Sequence, residues 1–212
     1  MKDIPVFTTE HGAASLVLSQ IPMRQEAYVR LQAVGDAAGL IEDCVGFCKA
    51  CGAERVFATG HNCLADYPLE TTILFYQGQK SALPQTDACL WPVLPENVST
   101  WREIYNRRMT SVPHAALIPA LSEQELVDSN ACYFVHRDGT LLGIGRVDEN
   151  DLSAVVSECK GCGSEIVSAL ASLIPEETIR LEVASANTRA IRLYERLGFL
   201  CVGEGDRWVQ IF

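Results

Sequence analysis

Apolar positions along the chain follow two periods, and the exchange between them predicts strands and helices in alternation. Residues 14–20 and 27–34 read as strands. From Ala37 to Cys51, Leu40, Ile41, Cys44, Val45, Cys48 and Cys51 recur at helical spacing, and Gly52 stands where a helix stop is expected. Residues 54–59 and 71–76 read as two more strands, and the polar, Gly- and Pro-containing stretch 78–87 reads as a linker. Beyond it come a short strand (89–93) and a helix opened near Pro95-Glu96-Asn97 that carries Val98, Trp101, Ile104, Tyr105 and Met109. A hairpin follows, with arms 132–136 and 141–147 about the turn 137–140. The rest reads as strand 152–156, helix 164–174, strand 178–184, helix 188–197 and a final strand pair near 199–202 and 208–212. Helix 37–51 with strand 54–59 is echoed by helix 164–174 with strand 178–184. Two related half-structures would explain the echo, and so would two ordinary helix–strand units.

Composition narrows the class. Among 212 residues, 48% are apolar and 21% charged, which is the balance of a soluble globular chain. No apolar run approaches the ~20 residues a membrane helix needs, so no membrane association is expected. The first residues lack an export leader, and a cytoplasmic location is expected. A formal charge of −10 argues against nucleic acid as a partner. Nine cysteines are an odd number in a long chain, and reduced thiols are expected. Cys44, Cys48 and Cys51 have a spacing that suggests a metal cluster, but they share one helix face with Leu40 and Ile41. A buried stripe is the better account, and no metal is expected. Iron or zinc in the purified protein would contradict it.

Two segments carry chemistry. Lys160-Gly161-Cys162-Gly163-Ser164 lies between a strand and a helix, where unpaired backbone N–H groups and the helix dipole can seat a phosphate. Cys159 and Cys162 overlap this loop, and their oxidation would disturb whatever it holds. Further on, Asn187 follows a strand end and Tyr194 lies two helical turns later on the same face. A phenol with a pKa near ~10 stays protonated at neutral pH and can donate to a leaving thiolate. Asn187 also suits a helix N-cap, and Tyr194 a core position.

From about Asp87 to Phe212 the chain resembles the GCN5-related N-acetyltransferase (GNAT) family. The resemblance lies in the order of elements, in Leu90-Trp91-Pro92-Val93 and Ile104-Tyr105-Asn106, and most clearly in Asn187-x-x-Ala190-x-x-x-Tyr194-Glu195-x-x-Gly198-Phe199. It implies an α/β fold with a mixed, mostly antiparallel central sheet flanked by helices. Residues 1–86 would be a degenerate N-terminal half-module of similar build, and 87–212 the acetyltransferase domain. It also implies acetyl-CoA as cosubstrate. Val155, Val156, Lys160, Gly161, Cys162, Gly163, Ser164, Asn187 and Tyr194 would bind it, and Tyr194 would be the catalytic acid. Glu158 falls where the family has Gln or Arg, which sets a carboxylate near the phosphates. No general base is legible: Asp148, Glu149 and Asp151 cluster at a turn, where acids are usually only solvated. The acceptor would be an amine, on a small molecule or a peptide, with pocket walls from the helix after Pro95 and from residues 110–114. A homodimer is compatible with this reading. The competing reading is a non-catalytic acyl-CoA-binding or interaction module on the same scaffold.

Overall fold

In the computed structural model, which describes residues 5–212, the first elements are β1 (Val6–Thr9), β2 (Gly12–Val17), α1 (Ile21–Arg24), β3 (Glu26–Val34), α2 (Ala37–Ala50) and β4 (Arg55–Thr59). After β5 (Leu69–Gln79) and β6 (Cys89–Pro92) come α3 (Val98–Met109), α4 (Glu123–Asp128), β7 (Cys132–Arg137), β8 (Thr140–Asp148) and β9 (Asp151–Ser157). Then α5 (Gly163–Ala171), β10 (Thr178–Ala184), α6 (Thr188–Arg196) and β11 (Leu200–Gln210) complete the chain. These elements form two units. One runs to Thr72 and takes in Gly205–Phe212, and the other spans Ile73–Glu204. The boundary lies inside β5, upstream of the stretch 78–87 that the sequence suggested as a linker.

In the first unit β1, β2 and β3 are antiparallel neighbours, and β3 continues through α2 into β4, which it pairs in parallel from Glu26↔Arg55 to Arg30↔Thr59. The other edge of β4 is paired by the end of β11, through Val209↔Ala58 and Gln210↔Phe57. Helix α2 buries Leu40, Ile41, Cys44 and Cys48 against β2, β3 and β4, so two cysteines of the expected stripe are core, while Cys51, at the C-cap where the helix has ended, is exposed. Burial pushes the Cys44 thiol up to about 11 and Cys48 to about 12, which keeps both neutral.

The second unit has strand order β5-β10-β9-β8-β7-β6. All neighbours are antiparallel except β9 and β10, which α5 connects. Fully buried Ile166, Val167, Leu170 and Ile179 join α5 to the sheet on one face, each worth about 1.5–3 kcal/mol. On the opposite face α3 presses Trp101 and Ile104 onto Phe134, Ile144 and Val156. Gly78 and Gln79 are strand residues, because the Phe199 ring lies where a Gly78 side chain would be: an added Cβ would come within 2.7 Å of it. The final strand pair expected from the sequence is the single strand β11.

Each unit thus takes its last strand from the other half of the chain. Residues 73–79 close the second unit against β10, and residues 209–210 close the first against β4.

Candidate active site

Strand β9 carries one residue more than β8 opposite it: Arg146 faces Ala154 and Val147 faces Leu152, which leaves Ser153 as a bulge. A bulge bends and twists its strand. The parallel partner β10 is in register with β9 only at Arg180↔Asp151, and the two strands part beyond that point. In an antiparallel ladder the backbone groups of alternate residues point to alternate neighbours. Glu158 N donates to Leu142 O at 2.9 Å, so Val156, two residues back, directs its N–H and C=O to Ile144. Val155 and Ser157 then present theirs to the gap. Of the two valines singled out in the sequence, Val155 turns its backbone groups toward the gap. Val156 is committed to β8 and, through its side chain, to the α3 core.

At the far end of β9 the loop reaches the N-terminus of α5. Among the described residues no protein acceptor is found for the N–H groups from Lys160 to Ser164, and the N-cap residue, Cys162, makes no side-chain cap bond. Gly161 has φ of +89° and open space around its missing Cβ, so the glycine serves the turn. Gly163 has a different reason, since a Cβ there would meet Leu193 of α6 at 2.8 Å. Its bareness lets α5 and α6 approach each other. Cys159 and Cys162 are joined as a disulfide across Lys160 and Gly161, which corrects the expectation of reduced thiols at this pair.

Glu158 is not a bare carboxylate beside this loop. Arg108 Nε donates to its Oε1 at 2.7 Å, and Arg107 pairs with the other oxygen. Both arginines come from the end of α3, about fifty residues away in sequence, and two cations to one anion leave the cluster positive. With Lys160, the rim of the loop is cationic in a chain of formal charge −10.

The matching place in the first unit is closed. There β3 and β4 stay paired over five residues. At the start of α2, Asp36 accepts from Ala38 N at 3.2 Å, while the N–H groups of Gly35 and Asp36 both donate to His11 O. A carboxylate already occupies that helix end.

Asn187 caps α6, its Oδ1 accepting from Ala190 N at 3.2 Å, so the cap is its observed role and its amide NH2 is left to donate. Tyr194 is buried in the cluster that Val155, Cys159 and Cys162 also pack against. Burial pushes its phenol up to about 12, and among the described residues no hydrogen bond to its hydroxyl is found.

Of the acids considered as a base, Asp148 feels burial, which works to raise it. Hydrogen bonds from Arg146 and Ser153 outweigh that and hold it below the usual range. Asp151 is paired with Arg180 at 3.1 Å. An open cavity of about 650 Å³ lies on the face opposite α5 and α6, where β9 and β10 begin to part. Its walls include Phe75, Gln77, Asp151, Ser153, Arg180 and Glu182. Sequence reasoning passed over Glu182, although Ile179, Leu181 and Val183 alternate with Arg180 and Glu182 and so place those two on the face away from the core.

Comparison with known proteins agrees with this geometry. The acetyltransferase (GNAT) family profile matches residues 98–199. Comparison with curated proteins gives no match. Among solved structures, a functionally unknown conserved protein from Staphylococcus epidermidis is similar with a TM-score of 0.64 at 14% identity, covering 98% of this chain and 94% of that one. A GCN5-related N-acetyltransferase from Sphaerobacter thermophilus is similar with a TM-score of 0.55 at 14% identity, covering 94% and 75%. A tandem GNAT protein from the clavulanic acid biosynthesis pathway gives 0.53 at 14%, covering 94% and 78%. At these identities the likeness is one of fold. A gap opened by a bulged strand, a bare helix N-terminus at its end and the matching profile together place residues 98–199, the C-terminal part of this chain, in the GNAT acetyltransferase family.

Proposed function

We propose that the protein transfers an acetyl group from acetyl-CoA to an amine. The observation that carries this reading is the parting of β9 and β10 beyond Arg180↔Asp151, with unpaired N–H groups waiting at the start of α5. Those donors, with Lys160, Arg107 and Arg108, suit a diphosphate. The open edge at Val155 suits an amide-bearing arm and offers a donor to the oxygen of a carbonyl under attack. Acetyl-CoA would supply the activated thioester. When the neutral amine nitrogen bonds to the acyl carbon and the carbon–sulfur bond breaks, Tyr194 gives its proton to the departing sulfur, the nitrogen sheds its extra proton to solvent, and Tyr194 recovers one from solvent. Its raised pKa holds that proton in place beforehand.

The first unit does not take part as a second cofactor site, because its strands are closed and its helix end is capped. We read it as a degenerate companion module.

Calorimetry with acetyl-CoA tests the proposal. One site per chain is expected, weakened by Gly161→Val, which forces a β-branched residue into left-handed backbone at the centre of the loop. Absence of heat with the intact chain, or an unchanged affinity in the variant, would refute the assignment.

A further inference from the structure

One covalent bond crosses the loop at the start of α5: Cys159 and Cys162 are joined, with Lys160 and Gly161 between them. Among the described residues the N–H groups of Lys160 to Ser164 have no protein acceptor, so the bridge spans the donors proposed to seat the diphosphate. One end is fastened to the sheet, where Cys159 N donates to Leu142 O at 3.4 Å. The other end is the N-cap residue of α5, and its sulfur makes no cap bond. Both cysteines pack instead against the core of the second unit. The first unit shows what a free acceptor does at such a place: Asp36, the N-cap of α2, accepts from Ala38 N and fills the helix end with its own carboxylate. Cys162 stands at the same position of α5. While bridged, its sulfur is neutral and tied back to Cys159. Once released, it can ionise at the helix end, where the dipole and donors that suit a phosphate favour a thiolate as well.

We infer that the Cys159–Cys162 pair is a redox switch on the proposed acetyl-CoA site, in which the bridged form binds the cosubstrate tightly and the dithiol form weakly. This rests on the acetyl-transfer reading and adds its regulation. Two effects act in the same direction. Opening the bridge gives Lys160 and Gly161 conformational freedom that binding must remove again. It also lets the Cys162 sulfur compete with a diphosphate for the same N–H groups. The chemistry is thiol–disulfide exchange with a dithiol reductant. One reductant thiolate attacks a sulfur of the bridge, the Cys159–Cys162 bond breaks, and a mixed disulfide forms. The second reductant thiolate attacks that intermediate, closes the reductant's own disulfide and leaves two cysteine thiols, so two electrons and two protons pass to the pair. The sequence alone suggested the opposite sign, with oxidation disturbing the loop.

The test is calorimetry of the full chain with acetyl-CoA, once oxidised with excess glutathione disulfide and once reduced with dithiothreitol, each reagent then removed under nitrogen. Reduction should weaken binding about tenfold, a usual size for coupling between two sites. By reciprocity, saturating acetyl-CoA should make the bridge harder to reduce by the same factor, read by alkylation and mass spectrometry in graded glutathione buffers. In the reduced state Cys159→Ala should bind as weakly as wild type, whereas Cys162→Ala should bind more tightly, because no sulfur is left at the helix end. The double variant Cys159→Ala, Cys162→Ala keeps the other seven cysteines and should respond to neither treatment. Equal affinity of oxidised and reduced wild type, a double variant that responds like wild type, Cys162→Ala binding no tighter than Cys159→Ala, or a pair that stays unbridged in glutathione disulfide would each overturn the inference. Inorganic pyrophosphate is titrated into both forms as well. Acetyl-CoA binding of equal strength in both forms removes the switch alone. Pyrophosphate binding that follows the redox state, without acetyl-CoA binding in either form, removes the cosubstrate reading and leaves the switch acting on an anion seat. No binding of either probe in either form overturns both.

Discussion

Arg108 donates from Nε to Glu158 Oε1 at 2.7 Å, and this contact reverses the meaning of Glu158. By itself the carboxylate sets a negative charge beside the proposed phosphate seat. Paired with Arg108 and Arg107, it gathers two guanidinium groups there. The double substitution Arg107→Gln, Arg108→Gln leaves Glu158 unanswered. It is expected to weaken acetyl-CoA binding roughly threefold to tenfold, the modest size proper to half-exposed ion pairs. Glu158→Gln should leave affinity unchanged or improved. Titrations at low and high salt check both, and a double variant that binds like wild type would remove the arginines from the site.

Tyr194→Phe removes one hydroxyl for which no partner is found among the described residues. Turnover should fall about 100-fold, within the range for loss of a general acid, while the dissociation constant for acetyl-CoA stays as it was. Equal turnover in the variant would assign the tyrosine to packing. No turnover in either protein, with acetyl-CoA still bound, would favour a binding module.

The same phenol predicts a response to alkali. Its pKa is about 12 in the folded protein and near ~10 when unfolded. A group raised on folding contributes its full stability below the unfolded value and loses it as pH climbs through the folded one. Relative to Tyr194→Phe, the wild type should therefore lose about 1 kcal/mol between pH 8 and pH 11. Urea unfolding of both proteins at the two pH values measures the difference, and a constant gap would mean the phenol is not desolvated.

Strand exchange makes the apparent domain boundary a poor place to cut. A fragment 87–212 loses residues 73–79, which pair β10 from Thr178↔Gln79 to Ala184↔Ile73 and carry buried Tyr76. Such a fragment should show no cooperative thermal transition by circular dichroism, in contrast to the full chain. A sharp transition would show that β10 tolerates a bare edge.

The disulfide is directly checkable. Alkylation without reductant, read by mass spectrometry, should label exposed Cys51, Cys89 and Cys201 and spare Cys159 and Cys162. After reduction the latter two should be labelled as well. Labelling of both at the outset would return this pair to free thiols.

The sequence alone determined what short range controls. Helix α2 followed from apolar spacing, and the burial of Cys44 and Cys48 from the same period, because a helix repeats every 3.6 residues whatever surrounds it. The turn between β9 and α5 was legible because glycine at a left-handed turn leaves a local mark. Asn187 as a cap and Tyr194 as an inward residue were equally local. Tertiary structure decided the remainder. Gly78 reads as linker until the Phe199 ring is seen above it, and residues 73–79 close a unit whose other strands lie at least ten residues further along the chain. Glu158 reads as an obstacle until α3 delivers Arg107 and Arg108. Parting of β9 from β10 depends on a count of residues in two facing strands, and Glu182 pairs across β5 with Phe75, more than a hundred positions earlier. Pairings between distant segments are fixed by the packing of the whole sheet, and no local period encodes them.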